Sequence, residues 1–115
     1  MLLNLSNHPS PTWPANQMAA AREQFGEVED LPFPAIGPDW TTEQVQQLAA
    51  EYFDKVVQRR PAAVHLMGEM AFTFALVQQL KAAGIPCLAS TSRRDVREEG
   101  GQKIVQFQFV QFRPY

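Results

Sequence analysis

Three short polar clusters interrupt an otherwise apolar pattern: Ser6-Asn7-His8-Pro9-Ser10, Met67-Gly68-Glu69-Met70 with Thr73 just beyond, and Ser90-Thr91-Ser92-Arg93-Arg94. Together they offer hydroxyls, an amide, an imidazole and two guanidinium groups. That set suits a phosphate, because guanidinium groups make charge-assisted hydrogen bonds to phosphate oxygens and hydroxyls complete the shell. Glu69 would repel a phosphate, so it is better assigned to reading an adenine amino group or to taking a proton. Each residue also has a plain structural role. Ser6, Asn7 and Ser10 are good turn formers, and Glu69 favours a helix N-terminus. His8 is expected to be exposed in a loop, and Arg93 and Arg94 could be solvated surface charge. His65 sits in an apolar run, where core packing with one satisfied hydrogen bond is the simplest expectation. Phe107 and Phe109 read as core, and Trp13 and Trp40, each beside prolines, as lids or packing.

The chain lacks Gly-x-Gly-x-x-Gly, a Walker loop, Gly-x-Ser-x-Gly and His-Glu-x-x-His, which argues against nucleoside triphosphate hydrolysis and against metalloenzymes. No carboxylate or cysteine cluster suggests a metal, and no cofactor is indicated. Any chemistry here must depend on positioning.

The elements that would position these clusters follow from apolar spacing. Leu2 to Ser6 reads as a buried strand, ended by Asn7-His8-Pro9. Pro9, Pro11 and Pro14 enforce an extended loop, and Pro14 suits the first turn of a helix through Met18, Ala21 and Phe25 that stops at Gly26. Val28 to Leu31 is a weaker strand. Thr41 and Gln44 fit a capping box, opening a helix with Val45, Leu48, Ala49, Tyr52, Phe53 and Val56 on one stripe and closed by Pro61. Ala62 to Met67 is the central strand. Gly68 turns the chain into a helix whose Phe72, Leu76, Val77 and Leu80 face the core, ending near Lys81 and Gly84. Ile85 to Ala89 is a fourth strand. Strands alternating with helices predict an α/β fold, a small Rossmann-like parallel sheet flanked by helices in one domain, residues 1–115. Gly100-Gly101 adds an antiparallel hairpin between Arg94–Glu98 and Lys103–Phe112. In such sheets ligands bind where strands end and helices begin, and all three polar clusters are placed in such loops.

Composition sets outer bounds. The chain has 115 residues, 45% hydrophobic and 19% charged, typical of a globular domain. Its single cysteine, Cys87, permits no intrachain disulfide. The first residues do not resemble a secretory signal and no apolar run approaches the length of a membrane span, so a cytoplasmic protein without membrane partners is expected. Net charge is −2, which does not favour duplex DNA. The charge is uneven, however. Residues 1–57 carry 2 basic and 8 acidic groups and residues 58–115 carry 8 basic and 4 acidic ones, giving −6 and +4. A local anionic ligand on the second half is compatible with this balance.

Four segments carry a family likeness when taken in order: Leu3-Asn4-Leu5-Ser6-Asn7-His8-Pro9, Met67-Gly68-Glu69-Met70-Ala71-Phe72-Thr73, Ala89-Ser90-Thr91-Ser92-Arg93-Arg94, and Phe109-Val110-Gln111-Phe112-Arg113-Pro114-Tyr115. The pattern resembles the small ancillary proteins of type III CRISPR systems, relatives of the CARF (CRISPR-associated Rossmann fold) domains. The resemblance implies a homodimer that binds a cyclic oligoadenylate, cyclic tetra-adenylate first among them, at its two-fold interface. It further implies a ring nuclease: metal-independent cleavage in which the ribose 2′-OH attacks its own 3′-phosphate. A binding protein that sequesters the messenger without cutting it is the alternative, and an unrelated flavodoxin-like regulator a more distant one. On the nuclease reading His8 is the acid or base and Arg94 stabilises transition-state charge. Ser6 and Asn7 hold phosphate or ribose, Glu69 contacts base or ribose, and Gly68 and Thr73 shape their loop. Ser10, Ser90, Thr91, Ser92 and Arg93 complete the ligand contacts.

Overall fold

A computed structural model describes residues 1–115. Its elements are β1 (Leu2–Ser6), a 3-10 turn (Ser10–Thr12), α1 (Ala15–Phe25), β2 (Val28–Asp30), α2 (Thr42–Arg59), β3 (Ala63–Met67), α3 (Met70–Ala82), β4 (Cys87–Glu99) and β5 (Gln102–Pro114). The five strands form one sheet in the order β2-β1-β3-β4-β5. The β2-β1, β1-β3 and β3-β4 pairs are parallel and β4-β5 is antiparallel. This is the α/β architecture with an appended hairpin that the alternation of elements predicts.

Strand alternation sorts the side chains onto two faces. Leu3, Leu5, Val64, Leu66 and Cys87 face α2 and α3, where they pack with Val45, Ala49, Val56, Phe72, Leu76 and Leu80. Leu2, Ala63 and Leu88 face the other way, under Trp13 and Ala21 and against Phe109 and Phe112. All five residues of β1 are buried, as expected for a strand covered on both faces. The predicted capping box is present: Thr41 Oγ1 accepts from Gln44 N and Gln44 Oε1 from Thr41 N. Helix α1 begins at Ala15, with Pro14 as its cap and not within its first turn.

The largest departure from expectation lies in the last third. The fourth strand and the first hairpin arm are one continuous strand, Cys87–Glu99, starting two residues later than expected and running through the segment assigned to a loop. Ser90 to Arg94 are therefore mid-strand residues, paired with Phe112, Gln111, Phe109, Gln108 and Phe107 of β5 in turn. Their own sequence is polar and shows little strand character, so it is the partner strand that dictates their state. The register shifts between Thr91 and Ser92, leaving Val110 without an opposite residue. This bulge reverses the parity of β5, so Phe109 and Phe112 both point inward. Phe107, expected in the core, is 68% exposed because the hairpin outruns the body of the sheet. Its tip is the predicted Gly100-Gly101 turn. Both glycines have positive φ, 59° and 80°, as a two-residue turn matched to strand twist requires.

Candidate functional site

On the face of the sheet toward α1 lie Asn4 and Ser6 of β1, His65 and Met67 of β3, and Ser90, Ser92 and Arg94 of β4, each set spaced by two. Asn4 and His65 are paired in the parallel register. His65, 2% exposed, is held at both ring nitrogens: Nδ1 meets Asn4 Oδ1 at 2.9 Å and Nε2 meets Ser90 Oγ at 3.0 Å. The Trp13 and Phe112 rings enclose it edge-on, 5.2 and 5.7 Å away by centroid. Burial, and secondarily the charge of His8, push its pKa down to about 4. His65 is a core residue, as expected, but with two hydrogen bonds and a connection to the surface through Ser90.

That connection opens on a cavity of about 250 Å³ beyond the C-terminal ends of β1 and β3, walled by His8, Thr12, Gln17, His65, Ser90 and Ser92 with the Phe107 and Phe109 rings among its apolar surfaces. His8 is exposed at its rim, as predicted. Its backbone carbonyl is pinned by two donors, Asn4 Nδ2 at 2.9 Å and Trp13 Nε1 at 2.9 Å, and its backbone N–H donates to Ser6 Oγ at 3.2 Å. The loop after β1 is thus fixed by buried side chains while the imidazole stays free to reach a ligand.

The other expected site residues are distributed differently. Ser6 and Asn7 line a neighbouring cavity of about 280 Å³ shared with Asp30 and Phe33. Ser10 is occupied structurally, its N–H and hydroxyl both donating to the Asp30 carboxylate. Gly68 and Thr73 border a third, largely apolar cavity of about 300 Å³ with Met70, Phe74 and Tyr115. The buried Thr73 Oγ1 has no hydrogen-bond partner. Glu69 turns its carboxylate onto Ala71 N and Phe72 N as the cap of α3, and so satisfies donors an anion would need. This is the helix N-terminus role that the sequence offered beside a base or ribose contact. Thr91 and Arg93 lie on the opposite face of β4 from Ser90 and Ser92. Thr91 Oγ1 bonds the Gln111 backbone beside the bulge. Arg94 is on the same face as Ser90 and Ser92, one step beyond the cavity and opposite Phe107. Neither guanidinium group walls the cavity.

Of the residues named from sequence, the structure therefore gathers His8, Ser90 and Ser92, with Arg94 adjoining. It adds Thr12, Gln17 and His65 on the wall and Asn4 beneath it, bonded to His65, none of which the residue patterns singled out as ligand contacts. A signal for two of them was present: Asn4 and His65 each put a polar side chain at the middle of a five-residue strand, flanked on both sides by apolar residues. No three His, Cys, Asp or Glu side chains come together in a metal-binding arrangement, and no helix is long and apolar enough to cross a membrane.

No curated protein matches the chain. The family described as "Uncharacterized protein MJ1673 family" matches residues 1–113. Because the match spans all three helices and all five strands but for the last residue of β5, this chain belongs to the MJ1673 family.

Proposed function

We propose that this protein binds a cyclic oligoadenylate, cyclic tetra-adenylate first among them, and linearises it, ending the type III CRISPR antiviral signal. The observation that carries this reading is the make-up of the α1-side cavity. Aromatic surfaces suited to a base lie beside Ser90 and Ser92 hydroxyls suited to a ribose, with an imidazole at the rim. Pro14 and Gln17, also on its wall, bring in the N-terminus of α1, which has no side-chain cap and can direct free N–H groups at a phosphate. At about 250 Å³ the cavity takes part of a cyclic oligonucleotide and not the whole ring. A two-fold dimer would present two such cavities to one cyclic ligand.

In the reaction the ribose 2′-oxygen attacks its own 3′-phosphorus. The bond from phosphorus to the 5′-oxygen breaks, leaving a 2′,3′-cyclic phosphate and a 5′-hydroxyl. His8 exchanges the proton between the 2′-OH and the leaving oxygen, and Arg94 reaches in to offset charge on the phosphorane. The protein contributes alignment and charge stabilisation. The second reading, binding without cleavage, is favoured by one observation: no guanidinium group walls the cavity in the single chain.

Single-turnover cleavage of labelled cyclic tetra-adenylate in EDTA, run beside equilibrium binding, decides between them. Cleavage to 2′,3′-cyclic phosphate ends that slows ~10²–10⁴-fold in His8→Ala, with near-normal binding, supports the nuclease. Tight binding with no product supports sequestration. Absence of binding to cyclic tri-, tetra- and hexa-adenylate alike would falsify both.

A further inference from the structure

The hydrogen bonds beneath the cavity fix the direction of one hydroxyl, and with it the kind of ligand group the cavity can take. Asn4 Nδ2 donates to His8 O at 2.9 Å and to Asp30 Oδ1 at 2.8 Å. Both partners only accept, so the Asn4 amide has one possible orientation and Oδ1 is the atom facing His65. Ser6 Oγ donates to that same oxygen at 2.8 Å. Because an amide oxygen only accepts, His65 Nδ1, 2.9 Å away, must carry the ring hydrogen. In a neutral imidazole Nε2 is then bare. Burial keeps the ring neutral at physiological pH. Nε2 can therefore only accept from its neighbour, Ser90 Oγ, at 3.0 Å. Met67 Sδ lies 3.2 Å from the same oxygen, but a thioether is a weak acceptor and does not compete with an imidazole nitrogen. The single Ser90 hydrogen is committed inward, and the lone pairs of Oγ face the cavity.

We infer that the Asn4–His65 pair makes Ser90 an obligate hydrogen-bond acceptor, so that the cavity selects a ligand presenting a donor at that point and disfavours one presenting an acceptor. This rests on the cyclic oligoadenylate reading, in which two ligand groups supply that chemistry: the ribose 2′-OH and the exocyclic amine of adenine. Ser90 is the contacting residue, and Asn4 and His65 act through it as positioning residues.

Two measurements test the inference. The first needs no ligand: the nitrogen chemical shifts of His65 at pH 7 should show a protonated Nδ1 and a bare Nε2, and the opposite tautomer overturns the inference. The second compares binding of cyclic tetra-adenylate with its 2′-deoxy analogue and with cyclic tetra-inosinate, in the wild type and in Ser90→Ala. One analogue should bind about two- to ten-fold more weakly than the parent to the wild type, and that difference should vanish in Ser90→Ala and return in Ser90→Thr. Loss with the deoxy analogue identifies the 2′-OH as the donor, and loss with inosinate identifies the amine. Equal penalties in the wild type and Ser90→Ala overturn the inference while leaving the functional reading intact. Failure of cyclic tetra-adenylate itself to bind, with the tautomer as expected, removes the functional reading alone.

Discussion

Arg93 and Arg94 are neighbours in sequence and face opposite sides of β4, a separation that only the strand makes visible. Arg94 follows Ser90 and Ser92 on the α1 side and sits opposite Phe107, whose ring walls the cavity. Arg93 follows Thr91 on the far side. A charge-assisted phosphate contact contributes about 1.5–3 kcal/mol, so Arg94→Ala should weaken cyclic tetra-adenylate binding by about one to two orders of magnitude. Arg93→Ala should leave it within about twofold, by titration calorimetry. Equal losses would move the ligand off the α1 face. His65 makes a separate prediction. Its pKa falls from 6.5 to about 4 on folding, so between those values the unfolded chain binds the extra proton. The stabilisation is complete above pH 6.5 and is lost as pH falls toward 4, by about 3 kcal/mol in all. Urea unfolding midpoints measured from pH 7.5 to 4.5 should fall more steeply in the wild type than in His65→Gln; parallel curves would show that His65 does not carry the acid sensitivity. In sequence His65 reads as packing, because nothing local reveals that Asn4 stands in register beside it.

The parallel core was legible element by element, since β1, β3 and the start of β4 are largely apolar runs bounded by proline, glycine or a polar cap. Thr41 with Gln44, Pro61 and Gly100-Gly101 marked boundaries through chemistry that acts within a few residues. The Ser90–Arg94 segment was not legible, because its conformation is imposed by β5 across the ladder and its own residues are exposed or polar on both faces. The Val110 bulge was hidden for the same reason: Phe109 and Phe112 differ in parity, and only the pairing shows that both are inside. The turn between β3 and α3 shows how a local signal can be read correctly and still carry a distant cause. Gly68 was expected to make a tight turn, and its φ is not positive. Instead, a Cβ there would collide with the Phe33 ring from the loop after β2. Gly68→Ala should therefore destabilise the protein by about 1–3 kcal/mol through overpacking. Trimming the ring in Gly68→Ala/Phe33→Leu should recover part of that loss in thermal unfolding. Additive losses in the double variant would place the role of Gly68 in the backbone and not in the approach of Phe33.

At the scale of the whole molecule, the hairpin makes the shape. The Cα radius of gyration is 15.8 Å, against about 13 Å for a compact chain of this length, because β4 and β5 run past the rest of the sheet as a two-stranded ribbon. Such a ribbon is marginal alone in water. One face of this one is polar, with Arg97 bonded to Gln106. The other carries Val96, Val105 and Phe107, which are 49%, 41% and 68% exposed, and of these Phe107 walls the cavity. A second copy of the chain is the partner that fits the proposed function. An isologous contact between two ribbons would bury both apolar faces and would set two partial cavities around one cyclic ligand. Light scattering at micromolar concentration should give twice the 13.0 kDa chain mass. Val96→Lys and Val105→Lys place a charge on the ribbon without touching the cavity wall, and should give a folded monomer by circular dichroism and scattering. Because each cavity holds only part of the ring, those monomers should also bind cyclic tetra-adenylate much more weakly while keeping a native melting profile. A wild-type monomer in the presence of ligand, or lysine variants that remain dimeric, would place the two-fold axis elsewhere or remove it. A monomeric variant with undiminished affinity would show that one cavity suffices, and that the ribbon serves a partner other than the ligand.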